Sequence, residues 1–315
     1  MSVLCSQRTS SAVGMGKQQA KSWRYDTKSL GKLNSYSRFH CRREYSSDMG
    51  VSVSVLASGS RGNSAIVSTS RTRILVDAGI SCRETVKRMR AQGDDPRSLS
   101  AILITHEHSD HVYGLAVLAR KFQVPVFMTG ATHQAWARSL RDDAGELPQL
   151  ARLEIFSAGR GFHIGDIAIT PFTIPHDAVD PVGLTFRAEG IKVGIATDLG
   201  YMPPNVCDQI RGCDVLVIES NHDLEMLRGG PYPWSVKQRV GSPTGHLSND
   251  KLAKFLCTEY DGTASYIVLA HLSELNNHPE LALGTAEKAL ERRQTLLLNR
   301  VMLARQAEPI AAIQL

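Results

Sequence analysis

Beyond residue 49 the chain first alternates short apolar runs with Gly, Ser and Asn turns, and later interleaves such runs with helical periods. Residues 51–57, 64–68 and 73–77 are rich in Val and Ile, which predicts three short strands joined largely as hairpins. Ser81, with Glu84 three positions on, predicts a capped helix over 81–92. A buried strand over 100–104 precedes a polar, His-rich loop; a helix over 112–122 then ends at Val124-Pro125. A strand over 126–128 and a helix over 132–140 follow. Period-two alternation through 162–174, 183–188 and 192–197 predicts further strands, with Glu189-Gly190 as a hairpin turn. Residues 214–218 and 265–269 predict buried strands, and 249–259 and 281–293 predict helices. Strand pairs followed by strands mixed with helices, through two similar halves, predict two packed sheets with helices outside.

The 315 residues are 42% hydrophobic and 21% charged, which suits a globular core and excludes collagen-like, coiled-coil and wholly disordered chains. Apolar stretches such as 101–104 and 266–270 fall far below the ~20 residues of a membrane span, so no membrane partner is expected. The net charge of +5 is unevenly placed: residues 1–48 carry nine Lys/Arg against three acids, and the rest is close to neutral. A near-neutral body argues against broad coating of nucleic acid, so any polyanion must meet a local patch. The basic leader over 1–48 has three competing readings: a disordered tail, a transit peptide, or an extension upstream of a true start at Met49. The last is preferred, because 10–16 lacks the amphipathic Arg-rich helix of a transit peptide. The hydrolytic domain is then expected over 49–315. Six cysteines form no Cys-x-x-Cys pair, which reads as reduced thiols in a cytoplasmic protein.

The chemistry concentrates in Thr105-His106-Glu107-His108-Ser109-Asp110-His111. With 11 His in the chain, His-x-His-x-Asp-His should arise roughly 10⁻³ times by chance. The segment follows a predicted buried strand and opens a helix, so its imidazoles and carboxylate gather at a sheet edge. Neutral imidazoles and an ionised carboxylate suit Zn²⁺, Mn²⁺ or Fe²⁺, and the lack of thiols speaks against a structural zinc finger.

This string resembles the metal-binding motif of the metallo-β-lactamase superfamily. Asp77 in Leu75-Val76-Asp77-Ala78-Gly79 is similar to its first motif, and His176 in Ile174-Pro175-His176-Asp177 to its third. Asp198 in Ala196-Thr197-Asp198-Leu199-Gly200 matches the fourth and His271 in Leu269-Ala270-His271-Leu272 the fifth. The resemblance implies an αββα four-layer sandwich with a two-metal site at one edge of the sheets. It implies that His106, His108 and His176 hold one divalent ion, that Asp110, His111 and His271 hold the other, and that Asp198 bridges them. Asp77 would orient a ligand. Two such ions hold and activate a bridging hydroxide for hydrolysis.

A bridging Asp at 198 is typical of phosphodiesterase and thioesterase branches and foreign to the β-lactam hydrolases. The interval from Asp198 to His246 is too short for an inserted β-CASP domain. Glu219-Ser220-Asn221-His222-Asp223, Gly230-Pro231-Tyr232-Pro233, Lys237-Gln238-Arg239-Val240 and Gly245-His246-Leu247-Ser248-Asn249 resemble the bacterial YycJ/WalJ-like group, as does Ser58-Gly59-Ser60-Arg61-Gly62-Asn63-Ser64. That resemblance implies a 5′-to-3′ exonuclease with the end of double-stranded DNA as substrate.

His246, just before the predicted helix over 249–259, could stabilise developing charge or protonate the leaving oxygen, and with Asp110 it is a candidate catalytic residue. Ser60, Arg61 and Asn63 could cradle a phosphate, His222 could help bind one, and Lys237 and Arg239 could pair with phosphates beside Tyr232 and Trp234. Two other functions compete. A small-molecule hydrolase, either a cyclic phosphodiesterase or a glyoxalase-II-like thioesterase, would use the same ligands, and a non-catalytic binding protein would keep the metals for stability alone.

Overall fold

A computed structural model describes residues 50–140, 150, 152–293 and 298–315. The reading of 1–48 as a leader or extension lies outside the described residues. The first half runs β1 (Ser52–Ala57), β2 (Ser64–Ser68), β3 (Arg73–Val76), α1 (Cys82–Ala91), β4 (Ala101–Leu103), α2 (Ser109–Val112), α3 (Leu115–Phe122), β5 (Val126–Thr129), α4 (Gly130–Ser139) and β6 (Leu153–Phe156). The second half begins with the meander β7 (Phe162–Ile164), β8 (Ile167–Thr173), β9 (Val182–Ala188) and β10 (Ile191–Ala196). It continues through α5 (Pro204–Ile210), β11 (Val215–Glu219), α6 (Leu224–Gly229), α7 (Trp234–Val240), α8 (Asn249–Thr258), β12 (Tyr266–Ala270), α9 (Pro279–Glu291), β13 (Arg300–Leu303) and β14 (Ile313–Gln314).

One sheet has the order β14-β1-β2-β3-β4-β5-β6 and the other β13-β12-β11-β10-β9-β8-β7. Each starts antiparallel and turns parallel, at β3–β4 in the first and at β10–β11 in the second. The layering follows from period two within single strands. Ile74 and Val76 face the second sheet, joining Val53, Ile169, Leu184, Val193, Val217 and Val268 in the central core. Leu75 between them faces outward, under Met89 of α1, Leu118 of α3 and Trp136 of α4. Leu216 and Ile218 likewise meet Val206 of α5, Phe255 of α8 and Ala286 of α9 on the far side. Both faces of each sheet are therefore buried, and the fold is the expected four-layer αββα sandwich. Among the described residues no helix is long and apolar enough to cross a membrane.

The structure corrects several expected elements. The alternation over 162–174 is two strands, because Gly165, at φ +56°, and Asp166 make a turn, across which the apolar positions shift from 162 and 164 to 167 and 169. The helix expected over 112–122 is broken at Gly114, whose missing Cβ would lie 2.1 Å from Ile80 O. α4 starts two residues early, with the Thr129 side chain accepting from Thr132 N. Ser81 caps α1 as expected, its hydroxyl accepting from Glu84 N. β6, α5, α6, α7, β13 and β14 were not expected. The C-terminal β14 pairs antiparallel with β1 and covers what would be an open sheet edge. The cysteines at 82, 207, 213 and 257 are free thiols.

Candidate metal centre and active site

The cluster forms where strands end. Asp77 follows β3, the His-rich loop follows β4, and His176, Asp198 and His271 come just after β8, β10 and β12. Asp77, Asp198 and His271 all take left-handed backbone, with φ of 60°, 63° and 55°. Non-glycine residues rarely adopt it, and the cost persists only where surroundings impose it. Here it turns three side chains off the strand axis towards one another.

The loops are knitted by main-chain bonds. Asn63 N donates to Asp110 O at 2.7 Å, Gly79 N to Asn63 O at 2.9 Å, and Ala78 N to His111 O at 2.9 Å. Gly79 makes this contact possible, since a Cβ there would lie 1.6 Å from Asp110 O. Gly79→Ala is therefore expected to destabilise the chain by at least the ~1–3 kcal/mol of an overpacked core. Urea denaturation would measure the loss; an unchanged midpoint would show that the loops can separate freely.

Three groups of ligand-type atoms result among the described residues, each with its members within 4.8 Å of one another: His106, His108 and His176; Asp110, His111, Asp198 and His271; and Asp198, Glu219, His246 and His271, which shares two members with the second. The first is held partly by His108 Nδ1 lying 3.2 Å from His176 Nε2. In the second, Asp110 Oδ2 lies 3.3 Å from both His111 Nε2 and His271 Nε2. Asp198 reaches His271 Nε2 and His111 Nε2 at 3.4 Å, and its charge also acts on His106 and His176 in the neighbouring group.

The surroundings fix ring orientation. His111 Nδ1 bonds Asp77 Oδ2 at 2.8 Å, His271 Nδ1 bonds Glu219 Oε1 at 2.9 Å, and His176 Nδ1 faces Gly245 O at 3.3 Å. Thr105 Oγ1 donates to Asp77 and lies 3.1 Å from His106 Nδ1. Four imidazoles thus have Nδ1 engaged, leaving Nε2 for the cluster, as outer carboxylates do for metal-binding His. His106 Nε2 and Asp198 Oδ2 are buried without a hydrogen-bond partner, and divalent cations would satisfy them.

Electrostatics separate the groups. Burial, then the neighbouring His111, push the His106 imidazole well below its usual range; burial likewise lowers His176. These rings stay neutral, the form a cation needs. Burial also opposes charge on His111 and His271, but Asp198 and other carboxylates outweigh it and raise both well above the ordinary value. Burial would raise Asp110 and Asp198, yet the adjoining imidazoles hold both carboxyls below the usual range.

A cleft of about 370 Å³ opens over the cluster, lined by His108, Asp110, Asp198, His246 and His271 with Ser60, Val236, Arg239 and Val240 at its sides. His246 Nδ1 bonds Glu219 Oε1 at 2.8 Å, so Nε2 is the ring nitrogen left for the cleft. Burial lowers this imidazole, but Glu219 prevails and raises it. Glu219 was missed by sequence reasoning as a functional residue. It is fully buried, accepts from His246 and His271 through Oε1, and takes Leu199 N and Leu247 N on Oε2. Its signal was a lone acid closing the apolar run Val215-Leu216-Val217-Ile218.

The weaker candidates divide. Ser60 reaches the cleft, and Arg239 does so while its Nε donates to Asp177. Asn63 lies below the floor, its Nδ2 donating to Asp110 Oδ2 at 3.1 Å. Arg61 turns away to an ion pair with Glu274, and its backbone N–H donates to Gln306 Oε1. Lys237 donates to Arg228 O at 2.7 Å, closing off the last turn of α6. His222 is buried and held near-neutral, burial lowering its pKa to about 4, so it offers no exposed cation to a phosphate. Arg61, Lys237 and His222 are not among the residues lining the cleft.

Residues 72–271 match the family described as the Beta-lactamase superfamily domain. The chain belongs to that superfamily. Exodeoxyribonuclease YycJ of Bacillus anthracis is 40% identical over 245 residues, which are 78% of this chain and 91% of that protein. Exodeoxyribonuclease WalJ of Streptococcus pneumoniae serotype 2 is 39% identical over 236 residues, covering 75% and 87% of the two chains. The metallo-beta-lactamase fold protein YhfI from Bacillus subtilis superposes with a TM-score of 0.62 across 82% of this chain and 99% of its own. At 16% identity that likeness concerns the superfamily fold alone.

Proposed function

We propose that this hydrolase of the β-lactamase superfamily is a metal-dependent phosphodiesterase that degrades double-stranded DNA from its 5′ end. The observation that carries the reading is the pair of adjoining ligand clusters with orphaned His106 Nε2 and Asp198 Oδ2. The exodeoxyribonuclease relatives supply the substrate class.

His106, His108 and His176 would hold one cation, and Asp110, His111 and His271 the other, with Asp198 available to both. Zn²⁺, Mn²⁺ and Fe²⁺ suit this nitrogen and carboxylate set. When bound, the two cations supply an activated water and positive charge for the attacked phosphate. Asp77 and Glu219 hold the rings of His111 and His271 in register. Asp110 would help hold metal, and it lines the cleft. His246, kept protonatable by Glu219, stands where it can give its Nε2 proton to the departing oxygen. Arg239 and Ser60 meet the substrate backbone.

The test is hydrolysis of a 5′-labelled duplex and of bis(p-nitrophenyl) phosphate by the chain, stripped with chelator and refilled with Mn²⁺ or Zn²⁺. Both activities should vanish on stripping and return on refilling. DNA cleavage should fall steeply with salt while the small diester is little affected, because only DNA binding releases counterions. Cleavage of the small diester alone would remove DNA as substrate and favour a small-molecule phosphodiesterase. Failure on both with two metals bound would direct attention to thioesters and then to a binding role.

A further inference from the structure

Ser220-Asn221-His222 and Leu247-Ser248-Asn249 belong to the segments that resemble the YycJ/WalJ-like group, yet none of these residues lines the cleft. They meet in the interior instead. Asn221 N donates to Leu247 O at 2.8 Å and Asn249 N to His222 O at 2.9 Å. Asn277 ties the two stretches together: its Nδ2 donates to Ser220 O at 2.9 Å and to Asn221 O at 3.0 Å, while its Oδ1 accepts from Asn249 Nδ2 at 2.9 Å. All of these residues are buried, where polar groups persist because they bond one another.

The network reaches His271. That residue takes φ +55° just after β12, a conformation its surroundings must impose. Its N–H donates to Ser58 Oγ at 2.7 Å and its carbonyl accepts from Asn221 Nδ2 at 2.8 Å, so two side chains clamp its main chain. Glu219 holds the ring of His271; Asn221 holds its backbone. Only one orientation of the Asn221 amide does so. A carbonyl cannot donate, so the amide atom facing His271 O is the nitrogen, and Oδ1 is left towards His222, whose Nδ1 lies 3.3 Å away. Two acceptors cannot bond each other, so His222 carries its proton on Nδ1 and donates it to Asn221. Burial, which lowers this imidazole to about 4, keeps the ring neutral with one proton to place.

We propose that His222 is a positioning residue of the metal centre: its Nδ1 proton locks the Asn221 amide, and the amide holds the His271 main chain in the turn that turns its ring towards Asp110 and Asp198; this rests on the reading of the clusters as a two-metal site. Without the donor at 222, Asn221 Oδ1 is buried unpaired, the amide is free to rotate, and His271 loses the anchor on its carbonyl. His222 then serves metal binding through two hydrogen bonds in series, and it serves DNA and a small diester alike.

The whole chain tests this through its affinity for Zn²⁺, read by chelator competition. His222→Leu fills the space without a donor, and one of the two equivalents should then bind about ten-fold more weakly while the other binds as in the native chain. His222→Asn, whose amide nitrogen falls near the place of Nδ1, should restore most of that affinity. Asn221→Ala should lose at least as much, and adding His222→Leu to it should cost little more, because one residue acts through the other. At limiting metal, hydrolysis of a DNA duplex and of bis(p-nitrophenyl) phosphate should fall together, and both should return on saturation. In the native chain, long-range ¹H–¹⁵N correlation should show His222 protonated on Nδ1, a result that requires no variant to fold. Protonation on Nε2 overturns the proposal, as does native affinity for both equivalents in a folded His222→Leu. Equal weakening of both equivalents assigns His222 to the fold at large, and a deficit confined to DNA assigns it to the substrate; either overturns the proposal. A native chain that binds fewer than two equivalents removes the two-metal reading itself.

Discussion

Asp198→Ala is expected to yield a folded chain that binds at most one equivalent of divalent metal and hydrolyses neither DNA nor bis(p-nitrophenyl) phosphate. Asp198 is only 2% exposed, and its oxygens stand 3.4 Å from His271 Nε2 and His111 Nε2. Its Oδ2 has no hydrogen-bond partner, and in the metal-free chain its burial is offset by the adjoining imidazoles that hold the carboxyl below the usual range. Removing it thus takes a charge partner from His111 and His271 as well as a ligand from the metal centre. Because the residue sits at φ +63°, Ala also carries backbone strain there. Asp198→Asn separates the two effects, since Asn tolerates that conformation and keeps the shape while losing the charge. Metal content by elemental analysis, circular dichroism and both assays would be read on each variant. If Asp198→Asn is folded and still holds two equivalents at native rate, the carboxylate is not shared between the metals.

The strand ends carrying Asp77, Asp198 and His271 were legible because each follows a run of Val, Ile or Leu and stops at a polar residue. Layering was legible for a similar reason: alternate residues in 73–76 face different cores, and a strand apolar throughout must be covered twice. Legibility failed where a local pattern was consistent with the wrong geometry. At the turn Gly165-Asp166 the apolar positions slip by one, from 162 and 164 to 167 and 169, a shift that a reading of continuous alternation passes over, and α7 has no buried stripe to give it a helical period. It failed again where a contact joins distant parts of the chain. Gln306 lies 244 residues from Gly62, yet its Nε2 donates to Gly62 O and its Oε1 accepts from Arg61 N, steadying the loop that ends in Asn63. Lys237 and His222 were read from residue type and neighbours. The partner of Lys237, Arg228 O, emerges only from the folded chain, whereas His222 bonds Asn221, its neighbour in the sequence.

His246→Ala is expected to lower kcat for DNA by about 10²–10⁴-fold, the usual range for loss of a proton donor, with metal content native and KM little changed. Glu219→Gln should differ in kind. The Glu219 carboxylate accepts from His246 and His271 through the same Oε1, at 2.8 and 2.9 Å, and a carboxamide oxygen cannot stabilise charge on both rings. His271 then loses the partner that fixes its tautomer, so metal affinity should drop about 10–100-fold. Saturating metal should recover that part of the loss and leave a kcat deficit from the mispositioned His246. Within that deficit the two substitutions share one mechanism, so Glu219→Gln added to His246→Ala should cost little further kcat at saturating metal. Full additivity would mean that Glu219 serves only the metal side, and native metal affinity in Glu219→Gln would mean that His271 keeps its tautomer without it. A carboxylate common to both rings predicts neither, since one buried oxygen couples the ring facing the metals to the ring facing the leaving oxygen.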